Sequence, residues 1–258
     1  MDARLNDTIT ERQARIVEIV SQQGFATIDT LARDFGVSAQ SVRRDIIKLD
    51  AEGLLQRFHG GVGVRETSVR LGYAEKRTVA ADAKQRIARK AAALIEEGST
   101  VFLDVGTTVE AVAQTLCDKR QLMVFTASLP AAAILTGRTG IDLFVLGGAV
   151  RGADGSLAGE TTLATLARFR FDYAVIGYSG FDDDGAMMDF DLEKVAVKQQ
   201  AMARAASVLA VGDSSKFARH ALARIALPDA FDTIVTDMLS AGDQKRFVDT
   251  FGYEVTVA

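Results

Sequence analysis

The second part of this sequence alternates short runs of Val, Ile, Leu and Phe with longer amphipathic segments, and no other feature constrains the fold as strongly. The longer segments repeat their apolar residues with the period of a helix, as in 82–98. Near-continuous apolar strands separated by helices predict a mainly parallel sheet that is covered on both faces. We therefore predict an α/β domain over residues 81–258, with strands at 99–104, 122–126, 141–148, 171–177, 207–213, 231–237 and 253–257.

The first 62 residues predict a second, smaller unit that begins with three short helices. Thr10 is placed to cap a helix from Glu11 to about Gln22, and a second helix extends from about Ile28 to Phe35. Only residues 36–38 separate this helix from the next one. A turn of that length between two helices is typical of a helix-turn-helix.

The third helix of this unit separates an apolar face from a polar one. On a helical wheel, Ile46 and Leu49 fall within about 40° of Val42, and these three residues predict the buried stripe. Arg can form paired hydrogen bonds to guanine, Gln can do so to adenine, and a helix N-terminus attracts phosphate. The candidates for DNA binding on this helix and its cap are Ser38, Gln40, Ser41, Arg43, Arg44 and Lys48.

A two-stranded wing is predicted after Gly53, over the stretch 54–62, with Arg57 and His59 near its tip as further candidates for DNA contact. An isolated pair of arginines more often belongs to a solvated basic surface. The capped helix, the short turn, the apolar stripe and the wing together favour DNA binding. Residues 63–80 lack a clear period and predict a linker.

Composition limits where a nucleic-acid surface can lie. The 258 residues include 30 Lys and Arg against 34 Asp and Glu, a formal net charge of −4, so any basic surface has to be local. No apolar run is long enough for a membrane span, and the first residues are polar and acidic, unlike a secretory signal, so we expect a cytoplasmic protein. The single Cys117 and two histidines lack metal-site spacing, and we expect Cys117 to be a small core residue.

Polar or glycine-rich turns follow several of the predicted strands, where parallel sheets bind their ligands. Gly106, Thr107 and Thr108 directly precede a predicted helix, so free N–H groups and hydroxyls there suit a phosphate, and Lys216 can supply positive charge. Arg151 either assists an anionic ligand or is solvated. The dinucleotide fingerprint and the P-loop are absent, so we expect no cofactor. The turns are 104–108, 126–128, 146–152, 177–185 and 212–216.

The stretch VSAQSVRRDIIKLDAEGLLQRFHGG, residues 37–61, resembles the N-terminal signature of the DeoR family of bacterial repressors. Further along, D-x-GTT, a TNS-like turn, LGG, GE, SG and D-x-SK follow one another as in the DeoR effector domain. The stretches at 99–116 and 168–195 look similar to the glycerol-3-phosphate repressor branch. The resemblance implies a winged helix-turn-helix followed by a Rossmann-like α/β sugar-phosphate-binding domain that resembles ribose-5-phosphate isomerase.

The resemblance also implies a function, a ligand and partners. It implies a repressor of carbohydrate or polyol catabolism genes that binds double-stranded operator DNA as a dimer or tetramer and is relieved by a phosphorylated metabolite such as glycerol 3-phosphate. Ala127 stands where the family usually has Asn, which leaves the identity of the effector open. Taking the turns and the matched positions together, the effector-binding candidates are Asp104, Gly106, Thr107, Thr108, Ser128, Gly148, Arg151, Glu160, Ser179, Gly180 and Lys216.

Two alternatives stay open at this point. The first is a sugar-phosphate isomerase-like enzyme, with Glu160 or Glu193 as the base and the acidic run 182–184 nearby. The isomerase loop with a lysine before a run of glycines is not visible, so we expect no catalytic residues and interpret 182–184 as a solvated turn. The second alternative is a DNA-binding regulator that responds to a protein partner.

Overall fold

The computed structural model describes residues 9–23, 25–58, 61–63, 73 and 75–258. Its N-terminal unit contains three helices and three short strands. The first two predicted helices are present within one residue of their expected bounds, and the third begins directly after its predicted cap, Ser38. The elements are α1 (Glu11–Gln23), β1 (Phe25–Thr27), α2 (Ile28–Asp34), α3 (Ala39–Ala51), β2 (Gln56–Phe58) and β3 (Gly61–Gly63).

The N-terminal unit has its own apolar core. Val42, Ile46 and Leu49 of α3 are fully buried, as the helical wheel predicts, and they pack with residues of α1, α2 and the strands. Thr10 caps α1 by accepting a hydrogen bond from the Gln13 amide at 3.3 Å, and the Gln13 side chain accepts one from the Thr10 amide at 3.0 Å. This reciprocal capping satisfies two N–H groups that the helix leaves free.

The predicted two-stranded wing is present as the antiparallel pair β2 and β3, and β1, which the sequence did not predict, adds a third strand to it. β3 lies between β1 and β2 and pairs antiparallel with both. The Phe25 ring covers Gly61 so closely that a Cβ at position 61 would lie 2.2 Å from it. Three residues between two helices are too few to show the alternation of apolar and polar residues that is typical of a strand. Phe25–Thr27 becomes a strand because it pairs with β3.

The C-terminal unit begins at α4, after residues 75–78 have formed one helical turn inside the predicted linker. Its helices are α4 (Ala81–Leu94), α5 (Thr107–Leu116), α6 (Leu129–Leu135), α7 (Glu160–Leu166), α8 (Leu192–Met202) and α9 (Ala241–Asp243), which continues as a π-helical segment over Gln244–Thr250. Its first strands are β4 (Thr100–Leu103), β5 (Leu122–Thr126), β6 (Ile141–Val145), β7 (Ala149–Arg151), β8 (Ser156–Ala158) and β9 (Phe171–Gly177). The others are β10 (Gly180–Phe181), β11 (Met187–Asp189), β12 (Ala205–Val211), β13 (Ala223–Ala226), β14 (Thr233–Thr236) and β15 (Val255–Val257).

Seven strands of this unit form one parallel sheet in the order β15-β14-β12-β9-β4-β5-β6. All seven arise from the strands that the sequence predicts. The chain builds the sheet outward from β4 in one direction through β5 and β6, and then from β9 in the other. The strand order therefore reverses between β4 and β9, and such a reversal opens a crevice beyond the carboxyl ends of the two strands.

Two apolar clusters cover the two faces of the large sheet. One contains Phe102, Phe125 and Ile176, and the other contains Leu103, Val124 and Val175, because neighbouring residues of a strand point to opposite faces. The predicted mainly parallel sheet with two covered faces is confirmed. The sequence did not predict the β7–β8 hairpin or the small antiparallel sheet β10-β11-β13. Within the described residues, the helices are too short or too polar for one of them to cross a membrane.

Candidate functional sites

The helix α3 is held with its polar face outward by contacts at its start and on its buried side. Ser38 begins the helix by accepting a hydrogen bond from the Ser41 amide at 3.2 Å. Asp45, buried on the inner side, accepts hydrogen bonds from Arg12 Nε at 2.7 Å and from Gln13 Nε2 at 2.9 Å. The Arg12 guanidinium neutralises the acid, and the two bonds together fix α3 against α1. This role of Asp45 was not predicted, because its partners lie more than thirty positions away.

The outward side of α3 presents a recognition face that consists of Gln40, Arg43, Arg44, Ile47 and Lys48, all exposed. Among the residues that the structure describes, no carboxylate forms an ion pair with Arg43 or Arg44. Lys48 Nζ lies 3.7 Å from Glu52 on the helix surface. Ile47 keeps half of its surface exposed, although it is apolar. Both guanidinium groups are thus free to meet an anionic or hydrogen-bonding partner.

The remaining DNA-binding candidates lie beside this face. Ser41 is half-buried at the start of α3, next to the cap residue Ser38. Arg57 is exposed on β2, and its amide donates to the Asp50 carboxylate at 3.3 Å. His59 lies outside the described residues, so its predicted place at the wing tip stays a prediction.

A cavity of about 730 Å³ opens beyond the carboxyl ends of β4, β9 and β12, at the reversal of strand order, and we call it the switch-point cavity. Residues from both units line it, including Gln56 and Gly63 of the wing. Its charged lining residues lie on five separate stretches of chain. They are the cations Lys76, Lys84, Lys194, Lys198, Lys216 and Arg219 and the acids Asp154, Asp189, Asp191, Glu193 and Asp213.

Five of the predicted effector residues line this cavity: Gly106, Thr107, Thr108, Ser179 and Lys216. Gly106 has a φ of 122°, in the region that favours glycine, and caps α5 without a side-chain hydrogen bond. The first N–H groups of α5 therefore need another partner, and the Thr107 and Thr108 hydroxyls stand beside them. The ten-residue helix adds its positive end to this part of the lining.

A buried ion cluster supports the floor of the cavity. Lys198 is fully buried, forms an ion pair with Asp104, and lies 3.2 Å from Asp189. It also donates to the Gly177 carbonyl at 2.9 Å, while Asp104 accepts from the Gly177 amide at 3.0 Å. Burial opposes the charged amine, but the two carboxylates outweigh it and raise the pKa of Lys198. The cluster joins the ends of β4 and β9 and so fixes the edge where the cavity opens.

Lys216 and Arg219 line the same cavity, but they differ from Lys198 in their partners. Among the described residues neither forms an ion pair with a carboxylate. Burial, and after it the nearby charge of Arg219, lowers the pKa of Lys216 to about 8. The lowered pKa shows that the charged ammonium of Lys216 is disfavoured, chiefly because burial removes its hydration and secondly because Arg219 is near. An anion that enters the cavity would stabilise the charged form.

Six of the predicted effector residues lie outside the lining, and packing explains three of them. Ser128 is fully buried and caps α6 by accepting from the Ala131 amide at 3.2 Å. A Cβ on Gly148 would lie 2.2 Å from the Thr162 hydroxyl, and a Cβ on Gly180 would lie 2.3 Å from the Arg219 carbonyl oxygen. These two glycines are needed for close packing, and Ser128 is needed for the start of a helix.

The other three lie below or beside the cavity. Asp104 is buried under the lining, where it holds Lys198 and contacts the cavity only through that residue. Arg151 is exposed and pairs with Glu193 at 3.0 Å. Glu160 is exposed at the first position of α7. The sequence places all three at the correct sheet edge, but it does not determine which side chains turn inward.

Five of the six cations that line the cavity were not predicted from the sequence. Lys194 and Lys198 are four residues apart on α8, and that spacing was the available signal because it puts both on one helix face. Lys76 lies in the segment predicted as a linker, and Lys84 opens α4. Arg219 follows Lys216 by three residues in the same turn. Linker lysines carry no pattern that separates a ligand-facing side chain from a solvated one.

The acidic residues of the enzyme alternative have other partners. Asp182 and Asp184 form ion pairs with Arg224 at 2.6 Å and 2.8 Å, outside the cavity lining. Asp183 is almost fully exposed. Glu193 lines the cavity but pairs with Arg151 at its rim. The prediction of a merely solvated turn at 182–184 is therefore incomplete, since Arg224 ties two of its three carboxylates to β13.

Comparison with known proteins assigns both units. Residues 12–68 match the DeoR-like helix-turn-helix domain, and residues 79–238 match the DeoR C-terminal sensor domain. The chain belongs to the DeoR family. Among its relatives, the glycerol-3-phosphate regulon repressor of Escherichia coli is 36% identical over 88% of this chain and 90% of the relative. The HTH-type transcriptional repressor CsqR of Escherichia coli is 34% identical over 88% of this chain and 87% of the relative.

The predicted DeoR resemblance and the pairing of a winged helix with an α/β sensor domain are confirmed. Because these relatives of the DeoR chain are transcriptional repressors, the prediction of a DNA-binding regulator rather than an enzyme is confirmed as well. Among solved structures, ribose 5-phosphate isomerase A from Methanocaldococcus jannaschii matches 54% of this chain and 55% of its own, with 15% identity and a TM-score of 0.40.

Proposed function

We propose that this DeoR-family chain represses genes of carbohydrate or polyol catabolism and releases its operator when a small phosphate ester fills the switch-point cavity. The observation that carries the proposal is that two cations, Lys216 and Arg219, line the same cavity as the start of α5. Neither forms an ion pair with a carboxylate of the described residues. The glycerol-3-phosphate regulon repressor among the relatives supports glycerol 3-phosphate as the first ester to test. Such a repressor acts in the cytoplasm, where its operator lies.

On the DNA side, α3 enters a major groove with its recognition face toward the bases. Arg43 and Arg44 have the planar donors that bind guanine in pairs, and Gln40 has the amide that matches adenine. The exposed Ile47 can contact a thymine methyl group, which is the apolar feature of that groove. Ser38 and Ser41, at the helix start, and Lys48 serve as phosphate contacts.

On the effector side, the phosphate group binds at the N-terminus of α5. The free N–H groups after Gly106 and the hydroxyls of Thr107 and Thr108 donate to its oxygens. Lys216 and Arg219 balance its charge. Ser179 donates its hydroxyl proton to Asp189 at 3.0 Å, so the Ser179 oxygen can accept a hydrogen bond from a hydroxyl of the polyol.

Repression and its relief require two copies of the chain, because helix-turn-helix proteins bind paired half-sites as dimers. We propose that the effector changes the spacing of the two DNA-binding units in a dimer or tetramer. A coupling free energy of about 1–3 kcal/mol would lower operator affinity about 5- to 150-fold.

A thermal-shift panel of polyol and sugar phosphates tests the effector side. Each phosphate ester is matched with its unphosphorylated parent, beginning with glycerol 3-phosphate and glycerol. We expect an ester to raise the unfolding temperature in a concentration-dependent way and its parent to have no effect. The cavity volume of about 730 Å³ also admits hexose phosphates, so the panel includes them. Equal shifts for an ester and its parent would contradict phosphate recognition.

A further inference from the structure

The segment that joins the two units supplies part of the cavity wall. Tyr73, Lys76 and Val79 all line the switch-point cavity, although they precede the first helix of the sensor unit. Tyr73 donates its hydroxyl to the buried Glu110 of α5 at 2.6 Å, and Arg77 lies 3.9 Å from the same carboxylate. These contacts hold the joining segment against the helix whose N-terminus faces the cavity.

Lys84 fixes the same segment from the other end. Its ammonium group donates to the Val79 carbonyl at 2.7 Å and also to the Lys76 carbonyl. Ala80, between these carbonyls and α4, has a φ of 55°, a conformation that side-chain-bearing residues rarely adopt. The backbone of the segment is thus bound to α4, while the side chain of Lys76 is directed to the cavity.

Lys76 forms no ion pair with a carboxylate of the described residues, yet it lies in the field of the other cations. Burial is the main reason why the pKa of Lys76 is lowered; Arg219 and Lys194 act in the same sense, while Asp189 and Asp154 oppose them. Asp189 already lies 3.2 Å from Lys198 Nζ, and Asp154 is paired with Lys194. Three cations on two separate segments therefore face one space without carboxylate partners: Lys76, Lys216 and Arg219.

The wing reaches the same space. Gln56 and Gly63 line the cavity, and the Phe25 ring of β1 packs edge-on against Phe190 at 6.3 Å between ring centroids. Phe190 follows Asp189, and its amide donates to the Asp189 carboxylate at 2.7 Å. The DNA-binding unit and the floor of the cavity are thus in contact through a pair of rings.

We propose that Lys76 is an effector-binding residue, which completes the anion site from the segment that joins the two units. An occupied site then ties that segment to the start of α5, so the ligand acts on the connection to the DNA-binding unit directly. This inference rests on the proposed function and names the residue through which the same cavity reaches the rest of the chain.

The test measures dissociation constants of glycerol 3-phosphate and of inorganic phosphate for the full chain and three variants. Lys76→Gln removes the charge and keeps a polar side chain one atom shorter, Lys76→Arg keeps the charge, and Lys90→Gln is the matched control on the exposed side of α4. We expect Lys76→Gln to weaken binding of both probes at least tenfold. We expect Lys76→Arg to stay within about threefold of the unchanged chain, and Lys90→Gln to match it. The unfolding temperature without ligand verifies that each variant is folded.

Hydrogen exchange gives a second measurement that a distant structural effect would not change. We expect glycerol 3-phosphate to slow exchange of the amides of residues 75–80 in the unchanged chain, and much less in Lys76→Gln. If Lys76→Gln binds the probes as the unchanged chain does, this inference is wrong and the proposed function stands. If another ester of the panel binds in place of glycerol 3-phosphate, the same comparison is made with that ester. If the unchanged chain binds neither inorganic phosphate nor any ester of the panel, the proposed function fails, and the role of Lys76 fails with it.

Discussion

The recognition face and the switch-point cavity both present cations to a partner, but the chain builds them in opposite ways. The recognition face comes from nine consecutive positions of one helix, Gln40 to Lys48, and needs only the burial of the opposite stripe. The cavity collects its cations from the joining segment, α4, α8 and the turn after β12. A surface on one helix depends on local structure, whereas the cavity depends on the whole sheet.

This difference predicts that a single change can damage the cavity much more than the recognition face. Lys198→Met leaves the buried carboxylates Asp104 and Asp189 without their cation, and we expect the sensor unit to lose about 3–5 kcal/mol of unfolding free energy. Urea unfolding of the full chain measures it. Lys194→Met, which breaks the more exposed pair with Asp154, should cost less than about 1 kcal/mol. Equal losses for the two variants would contradict the role assigned to the buried cluster.

Removal of a side chain from the recognition face should change DNA binding alone. We expect Arg44→Ala to weaken binding of the cognate operator by about 1–3 kcal/mol and to relax base preference, because it deletes a contact to a base edge. Fluorescence anisotropy with the operator and with scrambled DNA measures both effects. The same variant should bind the phosphate ester as before. A variant that loses affinity equally for both DNAs would show that Arg44 contacts only the backbone.

The cavity, unlike the recognition face, should respond to pH near neutrality. With its pKa at about 8, unliganded Lys216 is charged below that pH and loses its proton above it, so ester binding weakens as pH rises. We expect the dissociation constant of the ester to rise about tenfold from about pH 7 to about pH 9. Calorimetry over this range measures it. Lys216→Arg, which stays charged, should flatten the profile, and a profile that this change leaves intact would assign the titration to another group.

We expect the smallest effect on DNA binding from a change of Lys48, at the edge of the recognition face. Lys48→Ala should weaken binding to cognate and scrambled DNA alike and reduce the salt slope by about one, because it removes one phosphate contact. Its exposed pair with Glu52 contributes little that would offset this loss. Salt titrations of the two DNAs measure the slope. A selective loss for the operator would instead place Lys48 at a base.

The fold could be predicted from the sequence wherever a pattern is local and long. Thr10, the stripe of α3 and the seven strands of the large sheet all follow from caps and periodicity. β1 escaped prediction because three residues carry too little periodicity, and it becomes a strand only by pairing with β3. The β7–β8 hairpin and the small sheet failed for the same reason, since their strands have two to four residues.

The cavity could be predicted as a place but only partly as a set of side chains. The rule that ligands bind where strand order reverses selects the turns after β4, β9 and β12. The rule does not indicate that Ser128 caps a helix instead of lining the cavity. Nor does it indicate that Lys198 binds Asp104, which lies 94 positions earlier in the sequence. Lys76 lay outside any such rule, because its segment has no periodicity. Contacts between distant segments decide these cases, and only the folded chain contains them.

Control of the operator by a phosphate ester is tested directly by titration of glycerol 3-phosphate into the complex of the full chain with its operator. The operator is first selected from random duplex DNA, and fluorescence anisotropy follows release. We expect a loss of operator affinity of about 5- to 150-fold that Lys216→Gln abolishes and glycerol does not produce. Operator affinity that stays constant with every phosphate ester of the panel would contradict it.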